Sequence, residues 1–157
     1  MQSSLRFVAC LALILGVASV TAWPAFAAGA PQAAASQDSL YKRLGGYDAL
    51  AAVTNDFIDR LATDPTESRF FTGLNTTSKV RVRQHVVDFL CVATGGPCKY
   101  LGQDMVTAHT GLGITEEDWN IAVKLLGQTL DKLKVPAKEQ QDVVTALTPL
   151  KEQIVGH

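Results

Sequence analysis

The chain has 157 residues, 47% hydrophobic and 18% charged, with 14 Lys and Arg against 15 Asp and Glu for a net charge of −1. That balance leaves no basic surplus to grip a phosphate backbone, and an aromatic content of 7% leaves little for base stacking, so nucleic acid is not expected as a partner. No internal repeat is visible, which argues against a solenoid.

The N-terminus reads as a targeting segment. "MQSSLR" carries one positive charge, "FVACLALILGVASV" is an apolar core, and "AWPAFA" ends in an Ala-x-Ala-like site, so residues 1–27 are expected to be a signal peptide. The apolar run is short for a membrane span, and most of it follows Cys10, which disfavours a lipid anchor there. The expectation is export, to a periplasm, with membrane contact only through the signal peptide before cleavage. Residues 28–37, "AGAPQAAASQ", are small and uncharged and read as a flexible linker, leaving 38–157 as one domain.

The rest of the chain is patterned for helices. "YDALAAVTNDFIDRLATDP" sets Leu50, Val53, Phe57 and Leu61 on one face, and Pro65 closes the segment. After "FFTGLNTTS", a second helix lines up Val82, Val86, Phe89 and Ala93 until Gly95-Gly96-Pro97 stops it. A third starts at Thr115, whose hydroxyl can cap it while Glu116, Glu117 and Asp118 favour the positive end of its dipole; Trp119, Val123, Leu126 and Leu130 share a side. The last opens at Pro136, suited to a first helical position, and runs through Val143, Leu147, Leu150 and Ile154, with a bend expected at Pro149. No segment alternates with period two long enough to make a strand, so the fold class is all-α.

One segment breaks this pattern. Residues 97–114, "PCKYLGQDMVTAHTGLGI", form a long, glycine-rich stretch between two strong helices, and such loops are usually functional or disordered. It carries His109, followed by Gly111 and Gly113. A histidine at a sharp turn can aim a ring nitrogen at a metal or haem, or sit at the surface with no such role. Cys91 and Cys98 bracket the turn at Gly95-Gly96-Pro97. In an oxidising compartment they suit a disulfide; otherwise they serve as two small buried thiols.

"LYKRLGGYDAL", the pair Phe70-Phe71, "ATGGPCKYLGQDM", "AHTGLGIT" and "VPAKEQQDVVTALTPL", in this order from about Leu40 to Val155, resemble a group I truncated globin. The resemblance implies a two-over-two helical sandwich around haem b, with Gly45-Gly46 and Gly95-Gly96 as the two glycine motifs and His109 as the proximal iron ligand on a short helix. The glycines after His109 would then let the chain turn away directly behind the ligand. There is no Cys-x-x-Cys-His, so covalent c-type attachment is not expected. Phe57, Phe71, Val82, Val86, Phe89, Tyr100, Met105, Ile114 and Trp119 are the candidates to pack on the macrocycle. Arg81, Arg83 and Lys99 are candidates for its propionates.

The distal side departs from the family's pattern. Many members carry a tyrosine directly after the phenylalanine corresponding to Phe57, where this chain has Ile58; glutamines common on the next helix correspond to Val82 and Val86. Fewer hydrogen-bond donors weaken retention of dioxygen by a few kcal/mol at most. His85 lies ten residues before Gly95, where some cyanobacterial members carry a histidine that is a sixth iron ligand. Here it is either such a ligand, a donor to bound gas, or a solvent-facing histidine beside Gln84 and Asp88.

The implied function is reversible binding of oxygen, nitric oxide and carbon monoxide at a histidine-ligated iron, served by a reductase or other electron donor. The alternatives are a haem redox or sensing module ligated by two histidines, and a cofactor-free helical adaptor. Conversion of nitric oxide to nitrate, open to relatives, needs oxygen held in place, and Ile58 argues against it. The remaining histidine, His157, sits at an end expected to fray.

Overall fold

The structure is a computed structural model that describes residues 38–157. The expected signal peptide and linker lie outside the described residues. Seven α-helices are present among those described: α1 (Leu40–Arg43), α2 (Gly46–Thr63), α3 (Thr76–Ala93), α4 (Met105–His109), α5 (Glu116–Lys132), α6 (Ala137–Leu147) and α7 (Lys151–Ile154). Short 3-10 turns occupy Glu67–Phe71 and Thr148–Leu150, and no strand is found among the described residues.

Local chemistry sets the helix boundaries. Asn75 caps α3 by accepting from the Ser78 N–H at 2.9 Å. At α5 the expected cap is a full reciprocal box. The Thr115 hydroxyl accepts from the Asp118 N–H at 3.2 Å, and the Asp118 carboxylate accepts from the Thr115 N–H at 2.8 Å. Pro136 takes the cap position of α6 with ψ 148°, one residue before the first helical position expected for it. The bend at Pro149 appears as the 3-10 turn that splits the final helix into α6 and α7.

Helix α2 is the hub, packing on α3 on one side and on α5 on the other, while α5 also packs on α6. Val53, Leu126, Leu130 and Val143 form the core cluster joining α2, α5 and α6, and Leu50, Leu90 and Cys91 form a second one between α2 and α3. Two helix pairs, α2 with α3 and α5 with α6, thus make the expected two-over-two sandwich.

The faces differ in phase from those read in the sequence. On α3 the buried residues are Val87, Leu90 and Cys91, continued by Thr94 at the cap, whereas Val82, Val86, Phe89 and Ala93 are only half-buried. The two stripes are offset by one position, about 100° around the helix. One covers α2 and the other is left beside it. On α2 the buried set is Leu50, Val53, Thr54 and Ile58, with Phe57 and Leu61 half-buried. Ile58, assigned from the sequence to a distal ligand-facing position, is 4% exposed and belongs to the core.

Candidate functional site

His109 is the last residue of α4, a helix held at its start by Asp104, which accepts from the Thr107 N–H at 2.9 Å and from its hydroxyl at 2.7 Å. The ring lies with Nδ1 2.7 Å from the Met105 carbonyl oxygen. A carbonyl only accepts, so Nδ1 carries a proton and donates; in the neutral imidazole this tautomer leaves the lone pair on Nε2. This is the arrangement by which a metal-binding histidine has its tautomer and orientation set. Behind it the chain turns through Gly111 (φ 83°) and Gly113 (φ 64°), left-handed conformations that side chains with a Cβ seldom adopt. The expected sharp turn is present.

The C-terminus is not frayed. Helix α7 packs on α4, the Gly156 N–H donates to the Ile114 carbonyl at 3.0 Å, and Lys151 pairs with Glu116 at the start of α5. His157 lies outside the site, with Nε2 3.1 Å from the Glu152 carbonyl oxygen. The function of α7 as a backing for the histidine helix was hidden in the sequence; its signal is the continuation of the apolar spacing through Leu150 and Ile154 beyond Pro149.

On the opposite element, α3, His85 and Phe89 lie one helical turn apart on the half-buried stripe. The Tyr100 ring meets both edge-on, with centroids at 6.2 Å and 5.4 Å respectively. The Tyr100 hydroxyl donates to the Gln103 carbonyl at 2.7 Å. Cys91 and Cys98 are joined in a disulfide with their Cα atoms 5.8 Å apart, settling the alternative left open by the sequence.

Phe57, Phe71, Val82, Val86, Phe89, Tyr100, Met105, His109, Ile114 and Trp119 are all half-buried, as is His85. Phe57 also packs on the Val53–Leu126–Leu130–Val143 cluster and Val86 on the Leu50–Leu90–Cys91 cluster, so each has a core role on one side. Of the proposed propionate partners, Arg83 is paired with Asp59, while Arg81 and Lys99 are exposed. Leu101 and Leu112, on either side of α4, and Val106 within it are exposed apolar side chains that sequence reasoning missed, because neither irregular chain nor a five-residue helix has a period long enough to flag them.

A buried acidic pair joins the Phe71 segment to α5. Asp118 is 3% exposed and accepts from Arg69 Nη2 at 2.7 Å, which with the capping bonds holds its carboxyl down at about 2. Glu67 is 4% exposed, and its Oε1 has no hydrogen-bond partner. Burial first, then the neighbouring Asp118 charge, pushes its carboxyl up to about 7. Of the two carboxyls, Glu67 thus holds its proton more tightly and Asp118 ionises first.

The family model described as bacterial-like globin matches residues 39–155. The chain belongs to that family. A group 1 truncated hemoglobin of Mycolicibacterium paratuberculosis is 34% identical over 116 residues, covering 74% of this chain and 83% of the relative. A solved truncated hemoglobin from Tetrahymena pyriformis shares the fold with a TM-score of 0.71 at 24% identity, over 76% of this chain and all of the other. The 2/2 hemoglobin of a Synechococcus species, solved with covalently attached heme, superposes with a TM-score of 0.69 at 26% identity, over the same shares.

Haem is the cofactor of this globin, and the donor set fits it. Among the described residues no group of three His, Cys, Asp or Glu could hold a bare metal ion. A single presented imidazole suffices for iron only when the cofactor brings its own ring of donors, as a porphyrin does.

Proposed function

We propose that the protein is an exported haem b globin that reversibly binds dioxygen, nitric oxide and carbon monoxide at an iron held by His109. The observation that carries this reading is the 2.7 Å bond from His109 Nδ1–H to the Met105 carbonyl, which leaves Nε2 as the lone-pair donor. Haem, when bound, would supply the iron at which a diatomic gas binds. The chain orients the proximal imidazole through α4 and α7 and surrounds the macrocycle with half-buried apolar side chains that keep water away. With Ile58 in the core and Val82 and Val86 on α3, few side-chain donors serve the distal side, which favours exchange of ligand over tight storage.

A second reading is favoured by the position of His85 on the half-buried stripe of α3, oriented by Tyr100. In it His85 is a second axial ligand and the protein passes electrons or gates ligand entry. If His85 held the iron 99% of the time, affinity for an external ligand would fall roughly 100-fold.

An optical spectrum of the reduced protein separates these. Sharp, split visible bands that collapse in His85→Ala support the two-histidine form; a broad five-coordinate band unchanged by that substitution supports His109 alone. Failure to take up haem, or uptake unaltered by His109→Ala, rejects the proposal. Export is supported by the composition of residues 1–27 and by the disulfide, which suits an oxidising compartment. Recovery of the full-length chain, uncleaved, from the cytoplasm would reject it.

A further inference from the structure

We propose that Tyr100 is a positioning residue for His85, and that the Cys91–Cys98 disulfide holds Tyr100 in that role. The inference rests on the second, two-histidine reading above and adds to it a means of setting the ligand state of the iron.

The geometry runs in one line from helix to helix. Cys91 is fully buried on α3. After α3 ends, the chain doubles back so tightly that the Gly96 N–H donates to the Cys91 carbonyl at 2.7 Å. A Cβ at Gly96 would lie 2.6 Å from Cys91 Sγ and 2.5 Å from the Tyr41 ring, so only glycine allows the approach. That turn delivers Cys98 to Cys91, and the bridge pins the returning strand of chain to the helix it has just left. Two residues on, Tyr100 lays its ring edge-on against His85, at an interplanar angle of 76°, and against Phe89, at 79°.

The far end of the tyrosine is held as well. Its hydroxyl donates to the Gln103 carbonyl, immediately before Asp104, the cap of the His109 helix. A Cβ at Gly102 would collide with this hydroxyl, so the loop is shaped around it. Tyr100 therefore touches α3 with its ring and, with its hydroxyl, holds the loop that leads into the His109 helix.

For His85 this contact decides orientation. Among the described residues no hydrogen bond holds its ring, whereas the edge of Tyr100 does. Edge-to-face aromatic pairs prefer one arrangement. Without it a half-buried imidazole regains the rotamers that turn it to solvent, and the population able to reach the iron falls. Opening the bridge acts in the same direction: a dithiol delivers two electrons and two protons, leaves Cys91 and Cys98 as thiols, and is itself oxidised to a disulfide. The segment bearing Tyr100 is then no longer tied covalently to α3. Reduction thus moves the iron towards the five-coordinate state that accepts gas.

The test uses the mature chain reconstituted with haem and reads the six-coordinate fraction from the split visible bands. Alongside it, the ring proton shifts of His85 are read by NMR in the haem-free protein, where the Tyr100 ring current marks the contact. Tyr100→Ala is expected to lower the six-coordinate equilibrium about two- to tenfold, the range of one aromatic pair, and to move the His85 resonances. Tyr100→Phe keeps the ring and retains both signals within about twofold. Cys98→Ser lowers the equilibrium in the parent and adds nothing in the Tyr100→Ala background.

Unchanged coordination and unchanged His85 resonances in Tyr100→Ala would overturn the inference, as would an effect of Cys98→Ser that is equal with and without Tyr100. A parent that binds haem but is five-coordinate with and without His85 overturns the inference and leaves the His109 reading standing. A parent that takes up no haem overturns that reading and the inference with it.

Discussion

The two histidines are held in different ways. His109 is over-determined: a backbone carbonyl fixes its Nδ1, Asp104 caps its helix, α7 backs it, and the Thr115–Asp118 box anchors the chain as soon as the turn is complete. His85 is oriented by the edge of one aromatic ring, on a segment tied down by one disulfide. A ligand meant to stay on the iron needs the first arrangement, since every rotamer freed costs occupancy. One meant to come and go needs the second, in which a small change in packing shifts a balance between two states.

The sharpest way to break this contrast is to remove each ring and offer it back. His109→Gly is expected to lower haem retention by more than ~100-fold, beyond what losing a supporting hydrogen bond does, and added imidazole should restore the parent's spectrum. His85→Gly should retain haem. Comparable haem loss in both variants, followed by absorbance on dilution into apomyoglobin, would show that the two sites are not different in kind.

Next in size is the anchor behind the proximal turn. Asp118→Ala removes the reciprocal cap of α5 and the bond from Arg69, at a cost of about 2–3 kcal/mol read from the urea midpoint. The loss should extend to His109, because α5 begins directly after the turn; a destabilised protein whose iron–histidine stretching band is unmoved would separate the anchor from the ligand.

Beside the same box lies a group that works against the fold at high pH. Glu67, with Asp118, Asp64 and Arg69 around it, has its carboxyl raised to about 7. Between its ordinary value near 4.5 and 7 the folded chain holds a proton that the unfolded chain has released, so stability falls as pH rises through that window. Asp118 and Asp56, both held down to about 2 by Arg69 and by Lys132 with Arg60, act oppositely: their contribution is complete above the usual carboxylate range and is lost as pH falls through about 2. Glu67→Gln, which keeps a donor facing Asp118 and cannot ionise, should raise stability at pH 8 by about 1–3 kcal/mol and leave pH 4.5 nearly unchanged. Urea titrations at the two pH values check this, and an equal gain at both would mean that charge is not the cause.

Much of this was legible in the sequence where spacing and chemistry act locally. The Thr115 cap, the glycines after His109 and the Pro149 bend each dictate a backbone event within a few residues, and all appear as expected, while Asp118, expected only as a charge at the helix dipole, also returns the capping bond. Helix faces were less legible. Val82, Val86, Phe89 and Ala93 make a valid stripe, yet Val87, Leu90 and Cys91 make another, and only packing against α2 decides which one is buried. A helix that serves both a core and a cofactor is apolar on two sides, which periodicity alone cannot rank. Glu67 escaped notice for a related reason: a lone glutamate beside Arg69 reads as surface charge until the N-terminus of α5 folds over it.

The smallest effect tests the turn itself. A Cβ at Gly111 would meet nothing within 4 Å, so Gly111→Ala removes no contact and creates no clash. Its whole cost is that of a φ of 83° for a residue that disfavours it, about 1 kcal/mol. If the turn matters only for where it leads, this variant should lose that much stability in urea and keep the parent's haem spectrum, because Met105, Asp104 and α7 still hold the imidazole. A changed spectrum at unchanged stability would instead mean that the turn strains the proximal ring, and that His109 owes its orientation to the loop behind it rather than to the carbonyl in front.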